Sequence, residues 1–305
     1  METQVIVTGS SSELLSSEFA ALLSGRHIVV NMLPLGLQEF LSFKGIASSS
    51  NLDVAENLEK ITNALEEYMI YGGFPAVVGA SEKNEILGSY FETILLKDVA
   101  NRYKIRAVDK LKVLAKFYLT NIGHSITYNS VSKFTRLPVK TVERFSWQIE
   151  SSLMLFFVNR FSFSVKEQEN SPRKVYSIDT GIAYAVGFNI TIGRGALMEN
   201  IVAVELKRRG LEFYYWIDTA SGKEVDFVIR GKEGGYVLMQ VAESIDNPTT
   251  LKREPGALKA AAERFKNAKL LLIVHTIPTE HIARQLEAQG IELVQLWKWL
   301  LQKPK

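Results

Sequence analysis

The sequence contains no cysteine among its 305 residues. Disulfide bonds, thiolate zinc sites and cysteine nucleophiles are therefore excluded, and the absence fits a reducing compartment, so we expect a cytoplasmic protein. The longest apolar runs, residues 153–158 and 270–274, are far too short to cross a bilayer. No basic run followed by an apolar stretch opens the chain, so we expect neither a signal peptide nor a membrane partner.

Net charge is also low, at +3, and the 47% of hydrophobic and 23% of charged residues are typical of a globular chain. The charge is uneven, because residues 97–174 contain 15 Lys or Arg and 6 Asp or Glu, an excess of nine positive charges. This excess indicates a segment that faces a polyanion. A set of solvated helix faces would give the same count, and charge alone does not decide between the two.

Hydrophobic periodicity divides the chain into different structural classes. Short β-branched runs predict strands at residues 4–8 and 28–33, with a helix at 12–23 between them. These elements cannot bury both faces of a sheet, so we expect further strands from elsewhere. Residues 39–118 are predicted to be largely helical, with a break where Tyr-Gly-Gly-Phe-Pro occupies residues 71–75.

The middle of the chain predicts a winged helix. The predicted order is a helix at residues 128–135, a turn, a helix at 139–152, and strands at 153–164 and 174–179 around a polar loop. The last part alternates between helix and strand and predicts an open α/β sheet. Its helices are predicted at residues 196–209 and 254–267, and its strands at 212–217, 224–229, 236–241, 269–275 and 291–295.

Eight short phrases along the chain together resemble a large family of prokaryotic AAA+ (P-loop) ATPases that carry a C-terminal domain of unknown function, DUF4143. The resemblance spans essentially the whole chain. The phrases are Val-Ile-Val-Thr-Gly-Ser (5–10), Leu-Ser-Gly-Arg (23–26), Leu-Pro-Leu (33–35), Tyr-Gly-Gly-Phe-Pro (71–75), Leu-Leu-Lys-Asp-Val (95–99), Thr-Val-Glu-Arg (141–144), Ile-Asp-Thr-Gly (178–181) and Glu-Val-Asp-Phe (224–227).

Members of this family place a Walker A loop and a Walker B strand ahead of the segment that opens here. A Walker A loop needs glycines whose N–H groups hold phosphates, followed by Lys and Ser or Thr. No Gly-x-x-x-x-Gly-Lys-Ser/Thr occurs in this sequence. The resemblance therefore implies the back portion of such an ATPase, either truncated before its ATP-binding loop or derived from a parent protein and without its motor domain. ATP is then a cofactor of the parent family, and we expect no ATP hydrolysis and no cofactor for this chain alone.

The resemblance also implies a contact with a neighbouring ATPase subunit. It places Thr8 or Ser10 where such enzymes hold a polar residue near the attacking water. It likens Arg26 to an arginine that reaches the neighbour's γ-phosphate and stabilises developing charge. Alternatively, Arg26 stands after a predicted helix C-terminus simply because the helix dipole favours a cation there.

Pattern and resemblance together predict an α/β plus α fold in four units. These are a remnant of the AAA+ core (residues 1–50), a helical lid (51–106), the winged helix (107–181) and a restriction-endonuclease-like α/β domain (190–305).

The second helix of the winged helix carries the strongest functional prediction. Its apolar positions, Val139, Val142, Ile149 and Leu153, recur at helical spacing and are expected to pack inward. The opposite face would then offer cations for phosphates and polar groups for base edges. We expect weak, mainly electrostatic binding of duplex DNA, with protein docking as the alternative use of the fold. The predicted DNA contacts are Lys140, Thr141, Arg144 and Gln148 on this helix, and Lys166, Arg173 and Lys174 around the wing.

The C-terminal part resembles restriction-endonuclease-like folds, in which a helix Glu, a strand Asp and a following Glu/Gln-x-Lys surround a metal ion. The matching residues are Glu199, Asp226 and Gln240, but Ala242 stands where the lysine is expected. Asp226 and Glu199 would hold Mg²⁺ only weakly, so we expect a degenerate site. Strand alternation also predicts that Glu224 and Asp226 share one face.

The favoured function is therefore nucleic-acid binding together with an ATPase partner or the parent ATPase, without ATP hydrolysis by this chain alone. A protein-interaction module that partners an ATPase is the first alternative. A metal-dependent DNA nuclease is the second.

Overall fold

The computed structural model describes residues 6, 8, 9, 28, 30–187, 192–231 and 234–302. The predicted helix at 12–23 and most of the predicted strand at 4–8 lie outside these residues. Of the predicted strand at 28–33, residues 28 and 30–33 are described and none of them is in a strand, so that prediction is wrong. These residues have no strand partner for their N–H and C=O groups in the described part of the chain, and Ile28 is 90% exposed.

The predicted helical region is confirmed, including its break. Ser50 caps the long second helix by accepting a hydrogen bond from the Asp53 N–H, and the Asp53 carboxylate accepts one from the Ser50 N–H. Gly72 then ends this helix at a positive φ of 72°. The elements are α1 (Leu37–Phe43), α2 (Asn51–Tyr71), α3 (Pro75–Val78), α4 (Lys83–Thr93), its π-helical continuation (Ile94–Asn101) and α5 (Val108–Thr120).

The next elements form a three-stranded antiparallel sheet with helices packed beside it. The strand order is β1-β3-β2, so the last strand lies in the middle. The two predicted helices and the second predicted strand are confirmed. The first predicted strand (153–164) is confirmed only over Leu155–Asn159, and the predicted polar loop contains a short helix. The elements are β1 (Ser125–Ile126), α6 (Tyr128–Thr135), α7 (Val139–Ser151), β2 (Leu155–Asn159), α8 (Val165–Asn170), β3 (Arg173–Ser177) and α9 (Thr180–Val186).

A five-stranded mixed sheet forms the C-terminal unit, with strand order β4-β5-β6-β7-β8. The first three strands pair antiparallel and the last three pair parallel. α10 packs on one face of this sheet and α11 on the other. The elements are α10 (Arg194–Arg208), β4 (Phe213–Ile217), β5 (Glu224–Arg230), β6 (Tyr236–Ala242), α11 (Pro248–Ala262), β7 (Lys269–Val274), α12 (Glu280–Glu287), β8 (Ile291–Gln295) and α13 (Leu296–Leu301).

The two sheets meet along their edges. Arg160, just after β2, bridges to Tyr215 of β4, and its guanidinium donates to the Ile217 carbonyl at 3.0 Å. The Phe161 ring packs on Phe265 with centroids 4.9 Å apart. The predicted α/β plus α class is thus confirmed as a mixed architecture with two sheets. In the described part of the chain, every helix is too short or too polar to span a lipid bilayer.

Candidate functional site

The pair α6–α7 is built by local capping interactions. Thr127 accepts a hydrogen bond from the Ser130 N–H at the start of α6. Arg136 then ends that helix in the left-handed conformation, at φ 56°. Pro138 precedes α7 and fixes the direction in which the second helix leaves the turn. The turn is therefore short, and α7 begins one residue after Pro138.

The outer face of α7 carries two of the predicted DNA contacts, Lys140 and Arg144, and both are exposed. The prediction is wrong for Gln148, which is buried at 6% exposure. A helix turns about 100° per residue, so eight residues after Lys140 the chain has rotated by about 80° and reached the buried side. Thr141 is half-buried. Val139, predicted to pack inward, is 39% exposed.

Trp147 takes the outward position that the sequence assigned to Gln148. It stands seven residues after Lys140, which is about 20° from it around the helix. Its side chain is 50% exposed, and its ring packs against Tyr103 with centroids 5.6 Å apart. We define the outer face of α7 as Lys140, Glu143, Arg144 and Trp147, all of them exposed.

The cations predicted around the wing have different environments. Lys166 on α8 is exposed. Arg173 is half-buried, lies over the Tyr128 ring and pairs with Glu169 at 3.6 Å. Lys174 is buried, with only 1% of its side chain exposed, so it cannot contact a DNA backbone from this position. The prediction is wrong for Lys174 because β3 is the middle strand, covered by the C-terminal unit.

Lys174 instead joins the residues of the predicted nuclease-like site. Its Nζ atom lies 2.8 Å from Glu199 Oε1, 2.5 Å from Glu224 Oε1 and 3.1 Å from Asp226 Oδ1. The Tyr176 hydroxyl also donates to Glu199 Oε1, at 2.6 Å. We call Lys174, Glu199, Glu224 and Asp226 the carboxylate–lysine cluster. Sequence reasoning grouped its carboxylates but missed Lys174.

Local geometry explains how these side chains meet. Lys174 and Tyr176 are two residues apart on β3 and therefore share one face. Asn200, next to Glu199 on α10, fixes that helix on β3, because its side chain bonds both the N–H and the C=O of Ser177. The pairing of β4 with β5 shifts register between Tyr214 and Trp216, and this irregularity lies beside Asp226.

Burial and charge act together in the cluster. Burial raises the pKa of Glu199 to about 7; the nearby Asp226 carboxylate adds to this effect, and Lys174 and Tyr176 oppose it. Burial alone would lower the pKa of Lys174, but Glu199, Asp226 and Glu224 outweigh burial and hold that pKa well above its usual range. The acidic groups therefore favour the protonated form of Lys174, and three of them surround one ammonium group.

Gln240, the third predicted nuclease-like residue, contacts the backbone of Asp226 and the side chain of Glu254. Its Oε1 accepts a hydrogen bond from the Asp226 N–H at 3.2 Å, and its Nε2 donates to Glu254 Oε2 at 2.7 Å. Ala242 packs into the apolar cluster beneath α11. Gln240 thus supports the backbone at Asp226 and has no contact with Lys174. Glu254, which sequence reasoning also missed, is buried and completes this support.

The cluster does not fit a metal ion. The position between Glu199 and Asp226 is taken by the Lys174 ammonium, which contacts both carboxylates. Over the described residues, no set of three or more His, Asp or Glu side chains has an arrangement suited to holding a metal. Asp226 and Glu199 are therefore brought together as predicted, but around an ammonium group.

A second buried carboxylate connects three of the short phrases. Asp179 Oδ2 accepts from the Gly73 N–H at 2.7 Å, while its Oδ1 caps α9 by accepting from the Gly181 N–H at 2.9 Å. The Leu35 N–H donates to the Gly73 carbonyl at 2.8 Å. Burial raises the pKa of Asp179 to about 6, against the three N–H groups that favour its charged form. Phrases far apart in sequence thus form one structural contact.

The residues predicted to contact a neighbouring ATPase subunit lie near the N-terminus. Ser10 and Arg26 lie outside the described residues. Thr8 is described, exposed and in no helix or strand. The subunit contact of these three residues stays a prediction.

Models of known protein families match most of the chain. An AAA domain model matches residues 1–41, a domain of unknown function (DUF8612) residues 62–192, and another (DUF4143) residues 194–292. An uncharacterized protein of Methanocaldococcus jannaschii is 30% identical over 311 residues, covering 97% of this chain and 68% of that protein. An uncharacterized Haemophilus influenzae protein is 31% identical over 314 residues, covering 98% of this chain and 71% of that protein. The chain therefore belongs to the family of AAA-domain proteins that carry a C-terminal DUF4143 domain.

Proposed function

We propose that this chain binds nucleic acid, with duplex DNA as the preferred form, through a winged helix formed by residues 107–181. The order of elements supports this fold: α5, β1, the pair α6–α7, and then the strands β2 and β3. The sheet order β1-β3-β2 brings the two strands of the wing together. In such a module the second helix of the pair, here α7, is the one that enters the major groove.

The proposal of nucleic-acid binding rests on the outer face of α7. Lys140 and Arg144 are one turn apart and exposed, so both can reach phosphates at the same time. Lys133 on α6 and Arg136 in the turn are also exposed. These cations belong to the segment with an excess of nine positive charges. Glu143 is the acidic residue on the outer face of α7. Attraction to a polyanion is thus concentrated on this side, and we expect weak binding that depends steeply on salt.

We further propose that the chain acts together with an ATPase, either its parent protein or a partner. The AAA domain match at residues 1–41 supports this association. No Walker A pattern occurs in the sequence, so the ATP-binding loop would come from outside it. We assign no nuclease activity to the C-terminal unit, because the carboxylates expected to hold Mg²⁺ are paired with Lys174.

Fluorescence anisotropy with a labelled DNA duplex at two salt concentrations tests the proposal. The double variant Lys140→Glu/Arg144→Glu is expected to weaken binding. It should also reduce the slope of the logarithm of the binding constant against the logarithm of the salt concentration, by about one for each phosphate that is no longer neutralised. The matched control is Lys252→Glu/Lys266→Glu, which changes the net charge equally at two exposed lysines of the C-terminal unit. Equal affinities for wild type and both variants would remove α7 as the binding surface and favour the protein-docking function.

A further inference from the structure

The carboxylate–lysine cluster differs from the metal site that its carboxylates imply. Sequence reasoning makes Glu199 and Asp226 ligands of Mg²⁺, and the structure instead places a lysine between them. An ammonium group has three N–H donors. Three carboxylate oxygens lie within 3.1 Å of Lys174 Nζ, so the donors match the acceptors in number. With 1% of the side chain exposed, no donor remains for substrate or water.

The cluster also joins two different parts of the molecule. Lys174 belongs to β3, the middle strand of the three-stranded sheet. Its partners are Glu199 on α10 and Glu224 and Asp226 on β5, all in the C-terminal unit. Tyr176 and Ser177, also on β3, bond to α10. The contact therefore lies between the segment proposed to bind nucleic acid and the C-terminal unit.

We propose that Lys174 takes the place of a metal ion and locks the three-stranded sheet onto the C-terminal unit. Two acidic side chains of the cluster are mostly buried, Asp226 at 8% exposure and Glu199 at 14%. Charges buried to this extent need a counter-charge. The ammonium supplies it only while β3 lies against α10 and β5. Docking of the two units and neutralisation of the carboxylates are thus one event, and the cluster serves the conformation of the protein and not catalysis.

Hydrogen–deuterium exchange on the full chain tests the lock. Lys174→Met keeps an unbranched side chain that is one atom shorter but removes its charge, leaving the carboxylates without a counter-ion. We expect the amides of β3 and β5 to exchange roughly 100-fold to 3,000-fold faster, the range that corresponds to removing one partner of a buried ion pair. The matched control is Lys166→Met, an exposed lysine of the same hairpin. Exchange in Lys174→Met equal to that of the control would overturn the proposal.

A compensating variant separates charge from packing. In Lys174→Met/Glu199→Gln/Asp226→Asn the two most buried carboxylates are neutral, and Glu224, 33% exposed, can be solvated. This triple variant is expected to recover most of the protection of β3 and β5, even if Lys174→Met alone does not fold. Failure of the triple variant to recover would show that the contact depends on the shape of the lysine and would refute the counter-ion role.

Amide exchange with and without a divalent metal ion tests whether Lys174 takes the place of a metal ion. Exchange of the β5 amides in wild type is expected to be the same in EDTA and in millimolar Mn²⁺ or Mg²⁺, because the ammonium already fills the position. Protection that appears with Mn²⁺ in wild type and is absent from Asp226→Asn would mean that a metal ion displaces Lys174. That result would overturn the proposal that Lys174 takes the place of a metal ion, even if the chain binds nucleic acid as proposed.

Discussion

The Oδ1 atom of Asp179 lies 1.9 Å from the position that a Cβ atom on Gly72 would occupy. Gly72 ends α2 at φ 72° and ψ −162°, a region of backbone conformation that is essentially restricted to glycine. The next N–H group, that of Gly73, donates to the same carboxylate. The turn after α2 is therefore closed against the start of α9, and a side chain at residue 72 would meet both an unfavourable backbone and an occupied position.

Gly72→Ala is expected to lower the free energy of unfolding by about 3 kcal/mol or more, because backbone strain and steric overlap add. Urea denaturation followed by circular dichroism measures the change. Gly88→Ala is the matched control: its Cβ would meet nothing within 4 Å, and in the middle of α4 alanine should be neutral or slightly stabilising. Equal stabilities of the two variants would contradict the observed contact.

Asp179 also predicts a pH dependence of stability. Burial raises its pKa in the folded protein to about 6, from an ordinary value of 3.8. A group whose pKa is raised by folding favours the folded state at low pH, and that contribution is lost as the pH rises through 4 to 6. The loss amounts to roughly 3 kcal/mol between the two limits.

Chemical denaturation at pH 4.5 and pH 7 measures about 2 kcal/mol of this loss, because pH 4.5 already lies above the ordinary pKa of 3.8. Asp179→Asn removes the titrating group, so its stability should change less between the two pH values than that of wild type, whatever its absolute stability. Asp109→Asn, an exposed carboxyl group at the start of α5, serves as the control and should keep the wild-type difference. An unchanged pH difference in Asp179→Asn would place the titration elsewhere.

Elements with regular periodicity could be predicted from the sequence. The strand at residues 291–295 has the predicted boundaries, and those at 269–274 and 236–242 end within one residue of them. The pair α6–α7 was also predicted, because a Pro turn separates two amphipathic segments. The same periodicity failed at Gln148, since positions spaced four residues apart drift around a helix that repeats every 3.6 residues.

Long-range packing could not be predicted in the same way. The position of Lys174 on a strand follows from local pattern, but the identity of its neighbours depends on how β3 docks onto β5, 52 residues later. A charged residue in a hairpin is usually solvated, so nothing local distinguishes Lys174 from Lys166. The missing lysine at residue 242 was visible in the sequence, whereas the presence of Lys174 among the carboxylates could be seen only in the fold.

Gln148 provides a test that separates the predicted from the observed face of α7. Its Oε1 atom is buried and has no hydrogen-bond partner among the described residues. Gln148→Leu should therefore raise the free energy of unfolding by about 1 kcal/mol, by removing a buried polar group that is not satisfied. DNA affinity should stay at the wild-type value.

Arg144→Ala, on the outer face, is the comparison and should show the reverse pattern, with lower affinity and little change in stability. Anisotropy titrations and urea denaturation on the same preparations give both quantities. A loss of DNA affinity in Gln148→Leu at unchanged stability would mean that Gln148 faces the ligand, against its observed burial.

The carboxylate–lysine cluster predicts the outcome of a cleavage assay. Hydrolysis assisted by a metal requires an ion that binds both the carboxylates and the phosphate. In the cluster the ammonium of Lys174 contacts Glu199 and Asp226, so neither carboxylate is available to such an ion. We therefore expect supercoiled plasmid to remain intact with the protein in either Mg²⁺ or Mn²⁺.

Asp226→Asn decides how any cleavage in this assay is interpreted. Nicking that persists in Asp226→Asn comes from a contaminant or from another site, because the substitution removes a charge at the centre of the cluster. Nicking that depends on Mn²⁺ and disappears in Asp226→Asn would show that the carboxylates do bind a metal ion. Lys174 would then have to leave the cluster during the reaction, because its ammonium and a divalent cation repel each other at this distance.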